Sequence, residues 1–285
     1  MNQIQKCILD ITKEIITICE NNNIPYFAIG GTCIGAVRHS GFIPWDDDLD
    51  IAIPIEHFFR FKTVAENELP DFYKIRIWED VITARALIMK IFDIRTTFIE
   101  EHELDYKESY KGVFVDVMPI AGIPKNLFLR KVYIKKIRLY QKLNKYHRCK
   151  ITDIKKPIGK MVWIFLSPLK KMLKFNFFSK LWFENLKKRP FSSSKMTGFV
   201  WHGGVQRLIF PTKWVEETVL LDFEDIKMRC PKSYDKYLKA HFGDYMKLPP
   251  HEQRVAKHPG IIDCNRSYRE YQDNEDLVKI KLKNR

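Results

Sequence analysis

The chain has 285 residues, of which 45% are hydrophobic and 13% aromatic, and this composition excludes a disordered protein. A chain of this length can bury one sizeable core, or form one domain with a substantial insertion. Its formal net charge of +14 indicates attraction to anionic surfaces, of which membranes and nucleic acids are the main classes.

The cysteines and the apolar runs indicate where the protein resides. Six cysteines are spread along the chain without close spacing, which predicts isolated buried thiols and argues against a zinc site or a disulfide framework. Isolated thiols are typical of a reducing compartment. The N-terminus lacks a signal-peptide pattern, and the longest apolar run, Met161 to Leu166, is too short to span a bilayer. We therefore expect a cytoplasmic protein, or one peripheral to the inner face of a membrane.

The N-terminal region predicts a helix, a strand and a glycine turn in succession. Isoleucines recur at helical spacing over residues 4–22, which predicts a helix with a core-facing stripe. A strand is predicted over residues 26–30. Gly30 and Gly31 then allow a turn close enough for backbone amides to approach a phosphate. Thr32 is expected to cap a helix that runs through Arg38 and aims free N–H groups at an anion.

Three aspartates stand at strand positions farther along the chain. Asp48 and Asp50 flank Leu49 near a strand predicted over residues 49–53, so the period of two places both carboxylates on one face. Asp116 lies in an apolar strand predicted over residues 112–118. Carboxylates grouped in this way bind Mg²⁺ together with substrate phosphates. The other predicted elements are a helix at 55–68 and strands at 73–78, 86–93 and 97–101.

Each of these features also has a simpler interpretation. An acidic run such as Asp46 to Asp48 is more often a solvated turn than a metal site, and a glycine pair alone usually marks a turn. A single Asp in an apolar strand is rarer, because burying an unpaired carboxylate is costly. Asp116 therefore counts most, and the combination favours a metal-dependent phosphotransfer site.

The middle of the chain is strongly basic. We expect residues 123–198 to form a basic helical insertion after a catalytic core of residues 1–122, with Pro119 and Pro124 marking the exit from the last strand. Residues 125–190 contain 20 Lys and Arg but only two acids. Apolar residues interleave with the lysines in what the spacing predicts to be two or three helices. Such a segment suits an anionic membrane surface or a helical subdomain with a solvated basic face, and both rank ahead of nucleic acid.

The last segment, residues 199–285, is expected to return to the core. A helix is predicted from about Thr212 and another over Tyr234 to His241. The prolines within residues 243–260 predict an extended loop, which we interpret as a candidate active-site loop. Its possible substrate-binding groups are Asp244, Tyr245, Lys247, Arg254 and His258. Beyond about residue 274, the charged tail is expected to fray.

Together these motifs resemble the nucleotidyltransferase superfamily, in which an apolar-Gly-Gly turn precedes an Asp-x-Asp pair and a third acid lies on a later strand. Within it, GGTCIGAVRHSGFIPWDDDLDIAIP, residues 30–54, closely resembles the LicD family of phosphocholine transferases, to which the fukutin-type ribitol-phosphate transferases are related. Residues 90–100, 112–122 and 231–250 also resemble the family. The resemblance implies an α/β (α+β) fold, with a nucleotidyltransferase-like mixed β-sheet flanked by helices.

The family resemblance also implies an activity. Its members transfer a substituted phosphate from a CDP-linked donor, such as CDP-choline, to a sugar hydroxyl of a surface glycan and release CMP. Mg²⁺ is the expected cofactor, with Mn²⁺ as an alternative ion, and a lipid-linked acceptor would bring the enzyme to a membrane. The resemblance does not separate choline phosphate from polyol phosphate. Carried over by position, the metal-binding acids are Asp48, Asp50 and Asp116, the phosphate-facing turn is Gly30, Gly31 and Thr32, and the basic position is Arg38.

A mechanism follows from these assignments. The amides of Gly31 and Thr32, with Arg38, are expected to bind the oxygens of the donor. Asp116 completes the metal site and accepts the proton of the attacking hydroxyl. Lys90 is either a second phosphate ligand or an exposed strand lysine. Substrate-side roles are also assigned to Asp46 and Asp47, which fit the motif without a defined function.

Two other functions remain open from the sequence. A nucleotidyltransferase of the same fold would move a nucleoside monophosphate and release pyrophosphate. A non-catalytic nucleic-acid-binding protein would bind RNA tightly, with a steep salt dependence and without need of the acids. The crowded aspartates argue against the second alternative, because like charges held together are costly to keep.

Overall fold

The computed structural model of the protein describes residues 1–80, 86–100, 110–148, 151–154, 156–199, 209–256, 258 and 260–272. The helices are α1 (Gln3–Asn21), α2 (Gly30–His39), α3 (Ile55–Glu68), α4 (Leu127–Arg148), α5 (Pro157–Met172), α6 (Phe177–Lys187), α7 (Tyr234–Phe242) and α8 (Tyr268–Gln272). The strands are β1 (Phe27–Ala28), β2 (Asp50–Pro54), β3 (Tyr73–Arg76), β4 (Met89–Asp93), β5 (Thr97–Glu100), β6 (Val113–Ile123), β7 (Met196–Gly198), β8 (Ile209–Pro211), β9 (Thr218–Phe223), β10 (Ile226–Pro231) and β11 (Gly260–Asp263).

A mixed sheet of seven strands forms the centre of the described part of the chain. Five strands lie side by side in the order β1-β2-β6-β4-β3, and β7 and β8 extend the sheet from the second half of β6. The central pair, β2 and β6, is parallel, while the pairs on either side of it are antiparallel. With helices against the sheet, this is the nucleotidyltransferase-like α+β architecture expected from the sequence.

The first helix matches its prediction because its two sequence signals agree. Asn2 and Gln5 form a capping box, in which each side chain accepts a hydrogen bond from the backbone N–H of the other residue. Ile8, Ile11 and Ile15 are fully buried. Each contributes about 1.5–3 kcal/mol through burial, and this face packs α1 against β6. The helix predicted over residues 55–68 is also confirmed, with the same bounds.

Strand β6 is longer than the sequence predicts, because it continues through Pro119 to Ile123. The N–H of Asp116 donates to the carbonyl of Leu49 on the β2 side, so alternation turns position 119 toward the opposite side. On that side the pairing with β4 ends at Val117, and the pairing with β7 begins at Ala121. The missing N–H of the proline therefore falls between two partners, where it interrupts no ladder hydrogen bond.

The other predicted strands exist, with shifted bounds. The strand expected over residues 26–30 has only two residues, since α2 already begins at Gly30. The strand expected over 49–53 runs from Asp50 to Pro54, so Asp48 precedes it. Those expected over 73–78 and 86–93 are shorter than predicted, and residue 101 of the fifth lies outside the described residues.

The C-terminal region contains one wrong prediction and one confirmed one. The helix expected from about Thr212 is only a single 3-10 turn, Thr212–Trp214. It is followed by the antiparallel hairpin of β9 and β10, whose tight turn places Glu224 at φ 54°. The helix expected over Tyr234 to His241 is present as α7. The tail beyond residue 274 lies outside the described residues.

The basic segment contains helices, as predicted, namely α4, α5 and α6. None of the described helices combines the length and the apolar character needed to cross a bilayer. The division into residues 1–122, 123–198 and 199–285 remains a prediction.

The five cysteines that the structure describes are free thiols, and Cys19, Cys33 and Cys230 are buried, which agrees with the prediction of thiols outside any disulfide framework. Cys33 lies near Cys230, and Cys7 lies near Cys264. These contacts form because the folded chain brings together residues that are far apart in sequence.

Candidate active site

The strand register places Asp50, Asp116 and Lys90 in one row across the sheet. Asp50 on β2 is the register partner of Asp116 on β6, and Asp116 is the partner of Lys90 on β4. The ammonium nitrogen of Lys90 lies 3.0 Å from Oδ1 and 3.2 Å from Oδ2 of Asp116. It also lies 3.4 Å from the ring centroid of Phe114. Lys90 is thus a partly buried counter-ion of Asp116, and the alternative of an exposed strand lysine is wrong.

The carboxylates in this row carry more negative charge than the ammonium group of Lys90 neutralises. Burial raises the pKa of Asp50 well above its usual range, and the nearby charges of Asp48 and Asp116 raise it further, while Lys90 opposes them. Asp116 Oδ1 is buried and accepts no hydrogen bond from the described residues, but it is ion-paired with the Lys90 ammonium at 3.0 Å. Because one ammonium group does not offset the charges of Asp48, Asp50 and Asp116 together, this row favours a further cation.

A second group of acids lies immediately before β2. Asp46, Asp47 and Asp48 each offer a carboxylate oxygen, and these oxygens lie within 4.8 Å of one another. Asp46 and Asp47 are buried. The loop is held from α1 by Gln5, whose side-chain amide donates to the carbonyls of Ile43 and Asp46 at 3.1 and 2.9 Å. This buried arrangement is not the solvated turn that acidic runs usually form.

The glycine pair forms the first turn of α2 and does not precede the helix as predicted. Gly30 has φ +55°, and its N–H donates to the hydroxyl of Tyr237 at 3.1 Å. A Cβ added at Gly31 would lie only 2.6 Å from Oδ2 of Asp46. The glycines therefore let an acidic side chain approach the start of the helix directly.

Thr32 does not cap the helix. The N-cap is Ile29, whose side chain makes no capping hydrogen bond, and Thr32 lies within the first turn. Its hydroxyl accepts a hydrogen bond from the backbone N–H of Asp50 at 2.8 Å. The prediction is wrong because the helix begins three residues earlier than expected. The Thr32 side chain instead holds β2 against α2 through this hydrogen bond.

Arg38 lies near the other end of α2, about 12 Å along the helix axis from Gly30. Its guanidinium donates to the carbonyl of Tyr245. Burial lowers the pKa of Arg38, and the nearby charge of Arg254 lowers it further, while Asp46 opposes both. Arg254 itself lies over the ring of Trp45 at 5.6 Å. Two cations from distant parts of the chain therefore lie near one edge of the acidic group.

Residues 243–260 reach the acids through His258. Its backbone N–H donates to Oδ2 of Asp47 at 3.2 Å, and Nδ1 lies 3.0 Å from Oδ1 of the same carboxylate. The hydrogen bond with Asp47 raises the pKa of His258 against the opposing effect of burial. Nδ1 is also 4.0 Å from Oδ2 of Asp48. The segment contains one 3-10 turn, His251–Gln253.

These observations test whether the residues fit a divalent cation. Partly buried carboxylates whose negative charges crowd one another are a donor set suited to a hard ion such as Mg²⁺. Asp48, Asp50 and Asp116 could hold such an ion, with Asp46 and Asp47 beside them. Hydrogen bonds hold the backbone around these acids in place. They come from the Gln5 amide of α1, the Thr32 hydroxyl of α2 and the Tyr237 hydroxyl of α7.

Comparisons with known proteins show to which family the chain belongs. Residues 23–138 match the family model described as LicD/FKTN/FKRP, nucleotidyltransferase domain. The lipopolysaccharide cholinephosphotransferase LicD of Haemophilus influenzae is 30% identical over 264 residues, which cover 89% of this chain and 94% of the relative. The chain belongs to the LicD family. As a family member it is an enzyme, a phosphotransferase of the LicD type.

Two further relatives match shorter parts of this LicD-family chain. The uncharacterized protein RP689 of Rickettsia prowazekii is 44% identical over 121 residues, or 41% of this chain and 39% of its own. The human ribitol 5-phosphate transferase FKRP is 31% identical over 51 residues, which cover 18% of this chain and 10% of FKRP. The LicD relative alone among these three extends over nearly the whole chain.

Proposed function

We propose that this protein transfers a substituted phosphate, phosphocholine or a polyol phosphate, from a CDP-linked donor to a sugar hydroxyl of a cell-surface glycan and releases CMP. The observation that carries the proposal is the row of Asp50, Asp116 and Lys90 beside Asp48. Relatives named as a cholinephosphotransferase and a ribitol 5-phosphate transferase support the choice of transferred group.

We assign the metal site to Asp48, Asp50 and Asp116. A bound Mg²⁺ or Mn²⁺ supplies charge neutralisation at the donor diphosphate. Asp50 contributes a carboxylate that is destabilised by its acidic neighbours, so binding of a cation relieves repulsion. Thr32 keeps the backbone of Asp50 in place. Lys90 offsets part of the charge of Asp116, and its role as a phosphate ligand remains a proposal.

The remaining groups bind and orient the donor and the acceptor. The amides of Gly31 and Thr32 lie in the first turn of α2, where N–H groups lack partners within the helix and the helix dipole favours an anion. Arg38 binds donor oxygens from the opposite end of this helix, together with Arg254. Asp47 binds the backbone N–H and the ring of His258, and the Asp46 carboxylate lies beside Gly31 in the first turn of α2.

The reaction is a substitution at the phosphorus that carries the head group. The sugar oxygen forms a bond to this phosphorus, the bond from the phosphorus to the bridging oxygen breaks, and CMP leaves with the bridging oxygen. Asp116 accepts the proton of the sugar hydroxyl. Because the protein forms no covalent bond to the substrate, catalysis depends on position and charge.

The test is incubation with several CDP-linked donors, Mg²⁺ and a lipopolysaccharide or teichoic-acid acceptor, with CMP followed by chromatography. We expect CMP release with one class of donor and transfer of its head group to the acceptor. Pyrophosphate release from a nucleoside triphosphate, without CMP from any donor, would instead indicate the nucleotidyltransferase reaction.

His258→Ala is expected to loosen the segment that reaches the acids. The substitution removes the contact between Nδ1 and Asp47, so trypsin should cleave after Lys247 and Arg254 several times faster than in the wild type. His251→Ala changes an exposed histidine of the same segment and serves as the matched control. His258→Asn, which retains a side-chain N–H donor, should restore most of the protection. Equal cleavage of all four proteins would show that His258 does not anchor the segment.

A further inference from the structure

Helix α5 exposes the apolar stripe that an amphipathic helix normally buries. Ile158, Met161, Val162 and Phe165 follow the i, i+3, i+4, i+7 spacing of a core-facing stripe. Yet Ile158 is 75% exposed, Met161 70% and Phe165 84%. Met172 continues the stripe and is also exposed. Large apolar side chains grouped on a surface usually mark a binding surface.

Helix α4 adds a second exposed apolar row. Phe128, Val132 and Leu139 share one side of the helix and are all more than half exposed. The side that packs into the protein contains Tyr133 and Ile137, which are buried. Because α4 already packs into the protein by its buried side and also packs against α5, the exposed row is a separate apolar surface of the folded protein.

Basic residues surround both apolar rows. The exposed ones on and beside the two helices include Lys125, Lys131, Lys135, Lys136, Arg138, Lys142, Lys145, Lys156, Lys160 and Lys174. Residues 125–190 have 20 Lys and Arg and two acids. The surface therefore combines apolar side chains with a strong positive charge, the combination found in helices that lie in the interface of an anionic membrane.

We propose that α5 and the exposed row of α4 dock on an anionic lipid bilayer. The lysines contact the lipid phosphates, and the apolar side chains enter the boundary between head groups and acyl chains. Nucleic acid would match the charge but leaves the apolar stripe without a role. A second copy of this chain would match the stripe but brings the same positive charge to the contact. The proposal is independent of the reaction at the aspartates.

Vesicle flotation with the full chain tests the apolar part of the surface. The vesicles contain phosphatidylcholine alone, or equal parts of phosphatidylcholine and phosphatidylglycerol. The wild type should float with the anionic vesicles and bind the neutral ones much more weakly. Ile158→Ser combined with Phe165→Ser should weaken binding at least about ten-fold. Leu220→Ser combined with Phe242→Ser replaces an equally apolar, exposed pair outside the basic segment and should bind like the wild type.

A variant with two fewer positive charges tests the electrostatic contribution to vesicle binding. Lys156→Gln combined with Lys160→Gln should weaken binding to anionic vesicles about 30-fold and leave the weak binding to neutral vesicles unchanged. Equal recovery with both vesicle types, or none with either, would overturn the proposal. RNA binding that persists in the Ile158→Ser, Phe165→Ser variant, without vesicle binding by the wild type, would also overturn it. A dimer seen in sedimentation that this variant dissociates would do the same. Because Ile158 and Phe165 are at least 75% exposed and both lysines are exposed, the two variants of α5 and its approach should keep the wild-type melting temperature.

Discussion

Asp50→Asn is expected to reduce CMP release about a thousand-fold or more, while the melting temperature of the metal-free protein stays the same or rises. The activity falls because an amide oxygen is a poor substitute for a carboxylate at a divalent cation. The stability does not fall, because Asp48 and Asp116 already disfavour the charge of Asp50 in the folded protein. Chromatographic CMP assays and thermal melts in the presence of a chelator measure the two effects.

Asp116→Asn, unlike Asp50→Asn, is expected to lower the stability of the protein as well as its activity. Activity should fall as far as in Asp50→Asn, but the metal-free protein should lose about 1–3 kcal/mol, because the partly buried ammonium of Lys90 loses its counter-ion. Asp71→Asn, at an exposed aspartate outside the site, is the control and should change neither quantity. Undiminished CMP release in Asp50→Asn or Asp116→Asn would remove these residues from the proposed metal site.

Gly31→Ala is expected to lower activity about 10- to 100-fold with a much smaller effect on stability. The added Cβ would lie 2.6 Å from Oδ2 of Asp46, so the carboxylate has to move away from the start of α2. Steady-state kinetics and thermal melts of the purified variant measure the two effects.

A double-mutant cycle tests whether this loss acts through Asp46. Asp46→Ala removes the group that the new Cβ would strike. In that background Gly31→Ala should cost little further activity, which gives a strongly non-additive cycle. Additive losses would mean that Gly31 acts independently of Asp46, for instance through its backbone amide.

The sequence predicts those parts of the fold that depend on local pattern. The helices over residues 55–68 and 234–241 and the buried stripe of α1 follow from spacing alone. The hairpin of β9 and β10 was missed, because its turn carries Glu224 in the left-handed region without a glycine to signal it. The bounds of β6 were missed because a proline is tolerated where two strand pairings leave a gap.

The sequence predicts which residue types form the site, but not which of these side chains contact one another. The period of two placed Asp116 on one face of a strand, but its pairing with Asp50 and Lys90 depends on the order of strands in the sheet. Local sequence patterns do not predict contacts between residues that are far apart in the chain. Examples are the contacts of His258 with Asp47 and of Tyr237 with Gly30. Thr32 was assigned a cap because the strand before it was expected to reach Gly30.

In the proposed site, Asp48, Asp50 and Asp116 together hold a divalent cation. Anomalous diffraction from crystals grown with Mn²⁺ and CMP locates the ion independently of activity. We predict a peak about 2.1 Å from carboxylate oxygens of all three residues. A peak confined to Asp46 and Asp47, or no peak at these aspartates at all, would contradict the claim.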